Sequence, residues 1–256
     1  MNILHALIFG IVEGVTEFLP ISSTGHLMLT AKLLNIGQSE FIKSFQIAIQ
    51  LGAILSVVVV YWDRVTSGSK IWKRLGVAFM PAALIGALFY KMIKRYLLSN
   101  NEVVLWALFA GGLFLIIFEL FYRPKEEAVE EVSDISYRQA LIIGIFQSMA
   151  MVPGVSRAAS TIIGGLVAGL KRKTIVEFSF LLAIPTMLAA TVLDLSKSAQ
   201  VFKADQLVFL GAGFVVSFIT AIIAIKFLLV FIKRHSFILF GVYRMMLALV
   251  FWFIVK

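Results

Sequence analysis

The chain lacks cysteine entirely and has few charged residues, and both shortages limit what it can be. Because none of its 256 residues is a cysteine, disulfides and thiolate metal sites are excluded. Charged residues make up 14% of the chain, whereas soluble domains carry about 25%. The N-terminal stretch MNILHALIFG has no basic leader and no small-residue cleavage site, so no signal peptide is expected.

The chain is instead rich in apolar residues, which make up 61% of it. This predicts an all-α polytopic membrane protein, because a spanning helix needs about 20 mainly apolar residues. The net charge of +9 would also suit nucleic acid, but in a membrane protein lipid headgroups and topology explain it better. We therefore expect membrane lipids, and no nucleic acid, as partners. Six transmembrane helices are predicted, at 41–61, 76–96, 103–122, 174–195, 207–230 and 236–255.

Two further apolar regions, 1–30 and 138–170, are interrupted by Pro20 and by Pro153 with Gly154. Proline removes a backbone donor and clashes with the preceding turn, so each region should break there. We predict a re-entrant helical hairpin in each region, entering and leaving on the same side of the membrane. A pair of short spans or a single kinked span is the alternative.

The two hairpins resemble each other in sequence. LIFGIVEGVTEFLPISST aligns with LIIGIFQSMAMVPGVSRA, which places Gly10 opposite Gly144 and, after a one-residue gap, Ser23 opposite Ser156. Each half then has one hairpin and three spans, and an odd number of crossings inverts the second half. Such inverted-topology repeats place a binding site where the broken helices meet. The prediction is a single integral membrane domain, 1–256, with halves 1–122 and 138–256 joined by a linker, 123–137.

Basic residues predict the orientation. The side that holds Arg64, Lys171 and the linker carries more lysine and arginine than the other side, and should therefore be cytoplasmic. Both termini and the mouth of the first hairpin then face outside. The acidic run of the linker, from Arg123 to Asp134, is expected to be a solvated loop.

Polar residues concentrate between Glu13 and His26, where ionisable side chains in lipid are usually functional. Glu13 and Glu17 are four residues apart and share one face of a helix. The pair suits a divalent cation, or one metal ligand and one acid or base. Glutamates that reach the interface or hydrogen-bond across helices are the alternative.

Hydroxyl groups and an imidazole follow Pro20. Serine and threonine after a break cap helices, and the N–H groups at a helix start bind anions. Because His26 lies about one turn after Ser23, it is expected to activate the serine as a nucleophile or to protonate a leaving oxygen. A packing role is the alternative for His26. The polar run consists of Ser22, Ser23, Thr24, Gly25 and His26.

The second hairpin contributes Arg157, which has no acidic residue near it in the sequence. Its planar guanidinium suits phosphate oxygens, although Glu13 or Glu17 could itself be its partner. Together the two hairpins suggest phosphoryl transfer from a lipid-borne phosphate. The residues around Arg157 that allow a tight backbone and hydroxyl donors include Gly154, Ser156 and Thr161.

The motifs EGVTEFLPISSTGHL and PGVSRAAST resemble the two signature motifs of the bacterial undecaprenyl-diphosphate phosphatase family, also known for bacitracin resistance. The first motif matches throughout, whereas Ala158 and Ala159 replace the usual serine and glycine of the second. The resemblance implies a hydrolase of the bacterial cell membrane, with its site open to the periplasmic or extracellular face. It would convert undecaprenyl diphosphate to undecaprenyl phosphate and inorganic phosphate, which recycles the lipid carrier of peptidoglycan synthesis.

The resemblance also implies roles for single residues. Ser23 would be the nucleophile with His26 as its acid/base partner, and Arg157 would clamp the phosphates. Glu17 with Glu13 would hold Mg²⁺ or Ca²⁺ or assist proton transfer. A water nucleophile oriented by Glu17 and His26 stays open, as does a homodimer. The supporting phosphate-binding residues would be Ser22, Thr24, Gly25, Gly154, Ser156 and Thr161.

The rival class is a secondary transporter or a flippase for an anionic lipid, because inverted repeats with broken helices are typical of transporters. Arg157 would then bind the substrate and the glutamates would couple to ions. A lipid-binding scaffold without catalysis is a third interpretation. Only the enzyme needs the nucleophile that Ser23 would supply.

Overall fold

The computed structural model describes residues 1–37, 39–66, 68–92, 101–124, 127–198 and 206–255. Within these ranges the elements are helices and turns, apart from one isolated bridge between Val129 and Leu170. The predicted all-α class is confirmed. The helices are α1 (Ile3–Thr16), α2 (Ser23–Leu33), α3 (Glu40–Val60), α4 (Trp62–Thr66), α5 (Ser69–Met92), α6 (Asn101–Phe121), α7 (Tyr137–Ser148), α8 (Arg157–Val167), α9 (Arg172–Ser198), α10 (Leu207–Phe231) and α11 (Ile238–Val255).

Five helices are long and apolar enough to cross a membrane, namely α3, α5, α6, α9 and α10. α11 is apolar too but shorter, with its apolar stretch at Ile238–Phe253. The outer surface carries large exposed apolar side chains such as Leu88, Phe121 and Phe253. Exposed apolar surface of this kind marks contact with a membrane or another protein. The protein is therefore a multi-pass membrane protein.

Each predicted span coincides with a helix, but the bounds of α5 differ. It begins at Ser69, earlier than the predicted start at 76, and 93–96 at the predicted end lie outside the described residues. Pro81 lies inside α5 and Pro185 inside α9 without ending either helix. Proline position alone therefore does not locate the breaks.

The interruptions at Pro20 and Pro153 lie where the sequence predicts them, between α1 and α2 and between α7 and α8. The two breaks end alike, because Ser22 and Ser156 have φ values of 71° and 77° and each directly precedes an 11-residue helix. Non-glycine residues rarely adopt positive φ. By this backbone geometry Ser156 corresponds to Ser22. The sequence alignment with a one-residue gap had paired Ser156 with Ser23.

The N-terminal and C-terminal parts of the chain pack reciprocally. α1 packs on α10, whereas α7 packs on α5. A Cβ atom on Gly10 would lie 2.6 Å from the Gly213 carbonyl oxygen, and one on Gly144 would overlap the Ala78 carbonyl. These two glycines therefore allow the close approach of each helix pair.

Aromatic packing holds the first break beside α9. Phe18 and Phe180 are fully buried, with ring centroids 5.3 Å apart in an edge-to-face arrangement. Such aromatic pairs add about 0.5–1.5 kcal/mol beyond their buried area. Because Phe18 directly follows Glu17 and Phe180 directly follows Ser179, this contact helps to bring Glu17 and Ser179 together.

The linker between the two parts is not only a solvated loop, because it forms hydrogen bonds and an ion pair with the rest of the protein. Val129 exchanges two backbone hydrogen bonds of 2.9 Å with Gly169 and Lys171. Glu130 forms an ion pair with Lys171, and this hydrogen bond lowers the pKa of the Glu130 carboxyl. The acidic run is therefore fixed to the turn between α8 and α9.

Candidate active site

Glu17 and Ser23 face each other across the break between α1 and α2. Glu17 extends α1, and its N–H donates to the Glu13 carbonyl at 2.9 Å. The left-handed backbone of Ser22 then turns the chain into α2, which begins at Ser23. The Ser23 hydroxyl donates to Glu17 Oε2 at 2.5 Å, and both residues are buried. This length is typical of a charge-assisted hydrogen bond to a carboxylate.

Arg157 begins α8 and binds the other oxygen of the same carboxylate. Its Nη2 donates to Glu17 Oε1 at 2.9 Å, and both side chains are largely buried. Glu17 is thus the anionic partner that the sequence left open between two glutamates. One carboxylate joins a hydroxyl from the first break to a guanidinium from the second.

The remaining donors of Arg157 are only partly used. Nη1 donates to the Ser179 carbonyl at 2.9 Å, and the guanidinium carbon lies 5.9 Å from the centre of the Phe18 ring. Nε is buried and has no acceptor in the described part of the chain. Buried donors are almost always paired, so this nitrogen is a donor that the protein itself leaves unused.

Glu13 lies one turn before Glu17 and is fully buried. Neither of its carboxylate oxygens has a donor among the residues that the structure describes. Its carboxyl group lies close to that of Glu17. No group of three or more His, Asp or Glu side chains gathers around them within the described ranges. Two carboxylates fit Mg²⁺, which is usually bound by one or two carboxylates together with substrate phosphates.

His26 does not form the expected hydrogen bond with Ser23. Its Nδ1 lies 2.7 Å from the Ser22 carbonyl oxygen, and its Nε2 lies 2.8 Å from the Tyr243 hydroxyl. Ser23 bonds to Glu17 instead. The spacing of one turn correctly placed the serine and the histidine on one helix, but Ser23 bonds to Glu17 and His26 bonds to Tyr243 and to the Ser22 carbonyl.

The supporting residues predicted around the first break, between α1 and α2, differ in their exposure to solvent. Thr24 is exposed in the first turn of α2, whereas Gly25 is buried. A Cβ atom on Gly25 would lie 3.1 Å from Leu108, so this glycine allows α2 to pack on α6. The Ser22 side chain makes no capping bond, and its carbonyl holds His26.

The hydroxyl groups around the second break, between α7 and α8, form hydrogen bonds within the protein. Ser156 accepts from the Ala159 N–H at 3.2 Å and thereby caps α8. Thr161 is fully buried and lies 2.5 Å from the Ser179 hydroxyl. Ala158 and Ala159 are buried too. Thr161 also donates to the Arg157 carbonyl at 3.0 Å, so these side chains support the start of α8.

Gly154 meets two steric demands in the second break. Its φ is 98°, and a Cβ atom would lie 2.6 Å from the Val104 carbonyl oxygen. Its own carbonyl accepts from Arg244 Nη2 at 2.9 Å.

Arg244 and Tyr243, both on α11, are the site residues that the sequence did not reveal. Arg244 is fully buried and also donates to the carbonyls of Ala107 at 3.1 Å and Pro20 at 3.4 Å. It therefore joins the two breaks. An arginine inside an apolar span was the available signal, the same one that marked Arg157. Tyr243 carries no such signal.

The fold and the site define a class of protein. It is a multi-pass helical membrane protein whose two helix breaks bring a serine, two carboxylates and an arginine together in an apolar interior. The sequence model of the family "Bacitracin resistance protein BacA" matches residues 6–250. The chain belongs to this family, which confirms the resemblance carried by the two motifs.

Relatives that match nearly the full length of the chain are named undecaprenyl-diphosphatases. The chain is 50% identical over 253 residues to the undecaprenyl-diphosphatase of Wolinella succinogenes, covering 99% of this chain and 98% of the relative. It is 52% identical over 247 residues to that of Aquifex aeolicus, covering 96% of each chain. It is 48% identical over 251 residues to that of Persephonella marina, covering 98% of each.

Proposed function

We propose that the protein is an undecaprenyl-diphosphate phosphatase of a bacterial cell membrane. It hydrolyses undecaprenyl diphosphate to undecaprenyl phosphate and inorganic phosphate, which returns the lipid carrier to peptidoglycan synthesis and confers bacitracin resistance. The observation that carries this proposal is the chain of hydrogen bonds from Ser23 through Glu17 to Arg157. The names and full-length similarity of the relatives support it.

Ser23 is the nucleophile. Its Oγ attacks the terminal phosphorus while its proton passes to Glu17 Oε2, to which it is already bonded. The bond from the terminal phosphorus to the bridging oxygen breaks, and undecaprenyl phosphate leaves with the electron pair and the proton from Glu17. Glu17 next takes a proton from the water that attacks the phosphoserine and returns it to Ser23 as inorganic phosphate leaves.

Arg157 and the starts of α2 and α8 bind the phosphates. The free Nε of Arg157, and Nη2 once it leaves Glu17, supply a planar pair of donors that suits phosphate oxygens. Ser23 and Arg157 are each the first residue of a helix, where N–H groups and the helix dipole favour an anion. The apolar surroundings suit a lipid substrate.

Glu13, together with Glu17, would hold a divalent cation, Mg²⁺ or Ca²⁺. The two unpaired oxygens of Glu13 support this assignment. When bound, the cation would neutralise charge on the phosphate oxygens. By holding the cation, Glu13 would reduce the repulsion between the carboxylates of the site and an anionic substrate.

We further propose that α1 with α2 and α7 with α8 are re-entrant hairpins in two inverted halves, with α3, α5, α6, α9, α10 and α11 as the six spans. The matching positive φ of Ser22 and Ser156 and the reciprocal packing of α1 on α10 and α7 on α5 support the repeat. With the linker in the cytoplasm, both termini and the site face outside.

A transporter would use the same inverted halves, but it needs no activated nucleophile. The 2.5 Å bond between the Ser23 hydroxyl and the Glu17 carboxylate favours the enzyme. Phosphate release is therefore the decisive measurement.

Purified protein in detergent, given farnesyl or undecaprenyl diphosphate and Mg²⁺, should release inorganic phosphate, and excess EDTA should stop the release. Ser23→Ala should lower kcat by at least about 10³-fold, because the nucleophile is lost. Ser133→Ala, on the exposed linker, is the matched control and should keep wild-type activity. Activity of Ser23→Ala equal to the control, or none in the wild type, contradicts the proposal.

A further inference from the structure

Tyr243, on α11 near the C-terminal end of the chain, contacts His26 on α2. Its hydroxyl lies 2.8 Å from His26 Nε2. The two rings are parallel, with centroids 5.6 Å apart and an interplanar angle of 6°. With the hydroxyl 2.8 Å from Nε2, parallel rings can meet only at their edges, so the hydrogen bond is the contact that holds the imidazole.

The second ring nitrogen of His26 fixes its tautomer. Nδ1 lies 2.7 Å from the Ser22 carbonyl oxygen, and a carbonyl only accepts. Nδ1 therefore carries a hydrogen, and in the neutral ring Nε2 is an acceptor. The Tyr243 hydroxyl is the donor that this nitrogen needs. With the hydrogen on Nε2 instead, the Nδ1 lone pair would face the Ser22 oxygen and repel it.

The Ser22 carbonyl matters because it belongs to the peptide that leads into Ser23. Ser22 has a strained φ of 71°, so its backbone keeps this orientation only if the surroundings hold it. The bond from His26 is one such restraint. A chain of contacts thus runs from Tyr243 through His26 and Ser22 to the hydroxyl that bonds Glu17.

Hydrogen bonds hold α11 against both breaks and α6, beside this series of contacts. Arg244, next to Tyr243, donates to backbone carbonyls of both breaks and of α6. α11 is thereby tied to both breaks at the residue next to Tyr243. Tyr243 is also partly exposed, so its hydroxyl is not required to fill the core.

We infer that Tyr243 is a positioning residue for the proposed phosphatase reaction: its hydroxyl holds His26 in the Nδ1–H tautomer that anchors Ser22 and directs Ser23 toward Glu17. This inference rests on the proposed function. Its loss should slow the chemical step more than it weakens substrate binding, since the contacts that bind phosphate lie on Arg157 and the helix starts.

Tyr243→Phe is the test, because it keeps the aromatic ring and removes only the hydroxyl. Tyr137→Phe, at the exposed start of α7, is the matched control. We expect Tyr243→Phe to lower kcat by about 10–100-fold with KM changed by less than about twofold, as for a small misplacement of a reacting group. The control should match the wild type.

¹⁵N NMR of histidine-labelled protein in detergent supplies a readout independent of activity. The chain has only three histidines, so His26→Gln identifies the His26 signals by difference. The wild type should show His26 protonated at Nδ1 with a hydrogen-bonded Nε2, and Tyr243→Phe should shift the Nε2 signal.

Three results overturn the inference: a wild-type His26 protonated only at Nε2, an unchanged Nε2 signal in Tyr243→Phe, or an unchanged kcat in that variant. The first two readouts require no phosphatase activity. Failure of the proposed function would appear separately, as a wild type that releases no phosphate. The wild-type spectrum decides the tautomer even if a variant folds poorly.

Discussion

At the scale of single residues, the chemistry depends on what each oxygen of Glu17 binds. Oε2 accepts from Ser23 and Oε1 accepts from Arg157, so the carboxylate holds the proposed nucleophile and the proposed phosphate-binding group at once. A phosphate that takes Arg157 away from Glu17 would leave the carboxylate free to accept the serine proton. Binding of the substrate and activation of Ser23 would then be one event.

Glu17→Gln tests this dual role. The amide oxygen still accepts a hydrogen bond, but it cannot take the proton from Ser23, so kcat should fall by about 10²–10⁴-fold. Phosphate release with saturating Mg²⁺ measures the effect. Glu131→Gln is the control, because Glu131 forms only an exposed ion pair with Arg64. A kcat for Glu17→Gln within a few fold of the control would show that Glu17 is not the base.

At the scale of helices and turns, the sequence predicted the positions of the breaks better than the side-chain contacts between them. Pro20 and Pro153 marked the breaks because each is followed within three residues by serine, whereas Pro81 and Pro185 are not and lie inside continuous helices. The partners of His26 could not be predicted, since Tyr243 lies on α11 and only tertiary packing brings it near. Arg244 joins carbonyls of both breaks, a contact that depends on three elements at once.

Gly154→Ala tests how the second break is held. The added Cβ atom would lie 2.6 Å from the Val104 carbonyl oxygen at a φ of 98°, which should destabilise the protein by at least about 1–2 kcal/mol. Gly211→Ala is the control, because nothing lies within 4 Å of its added Cβ atom. Thermal unfolding in detergent should show a lower Tm for Gly154→Ala alone. Equal Tm values would mean that the break tolerates a side chain.

At the scale of the whole molecule, neither half of the chain could build the site alone. α1 packs on α10 and α7 packs on α5, so the elements that flank each break are supported from the other half. Ser23 and Glu17 come from one break and Arg157 from the other. The excess of basic residues on the linker side supports the proposal that the mouth of the site faces outside the cell.

Hydrolysis by sealed, right-side-out membrane vesicles tests the outward-facing phosphatase most directly. Farnesyl diphosphate and Mg²⁺ are added to the external medium of vesicles that contain either the wild type or Ser23→Ala. We expect the wild type to release phosphate into that medium and Ser23→Ala to release none above empty vesicles. Equal release by both proteins, or release only after the vesicles are inverted, would contradict an outward-facing site built on Ser23.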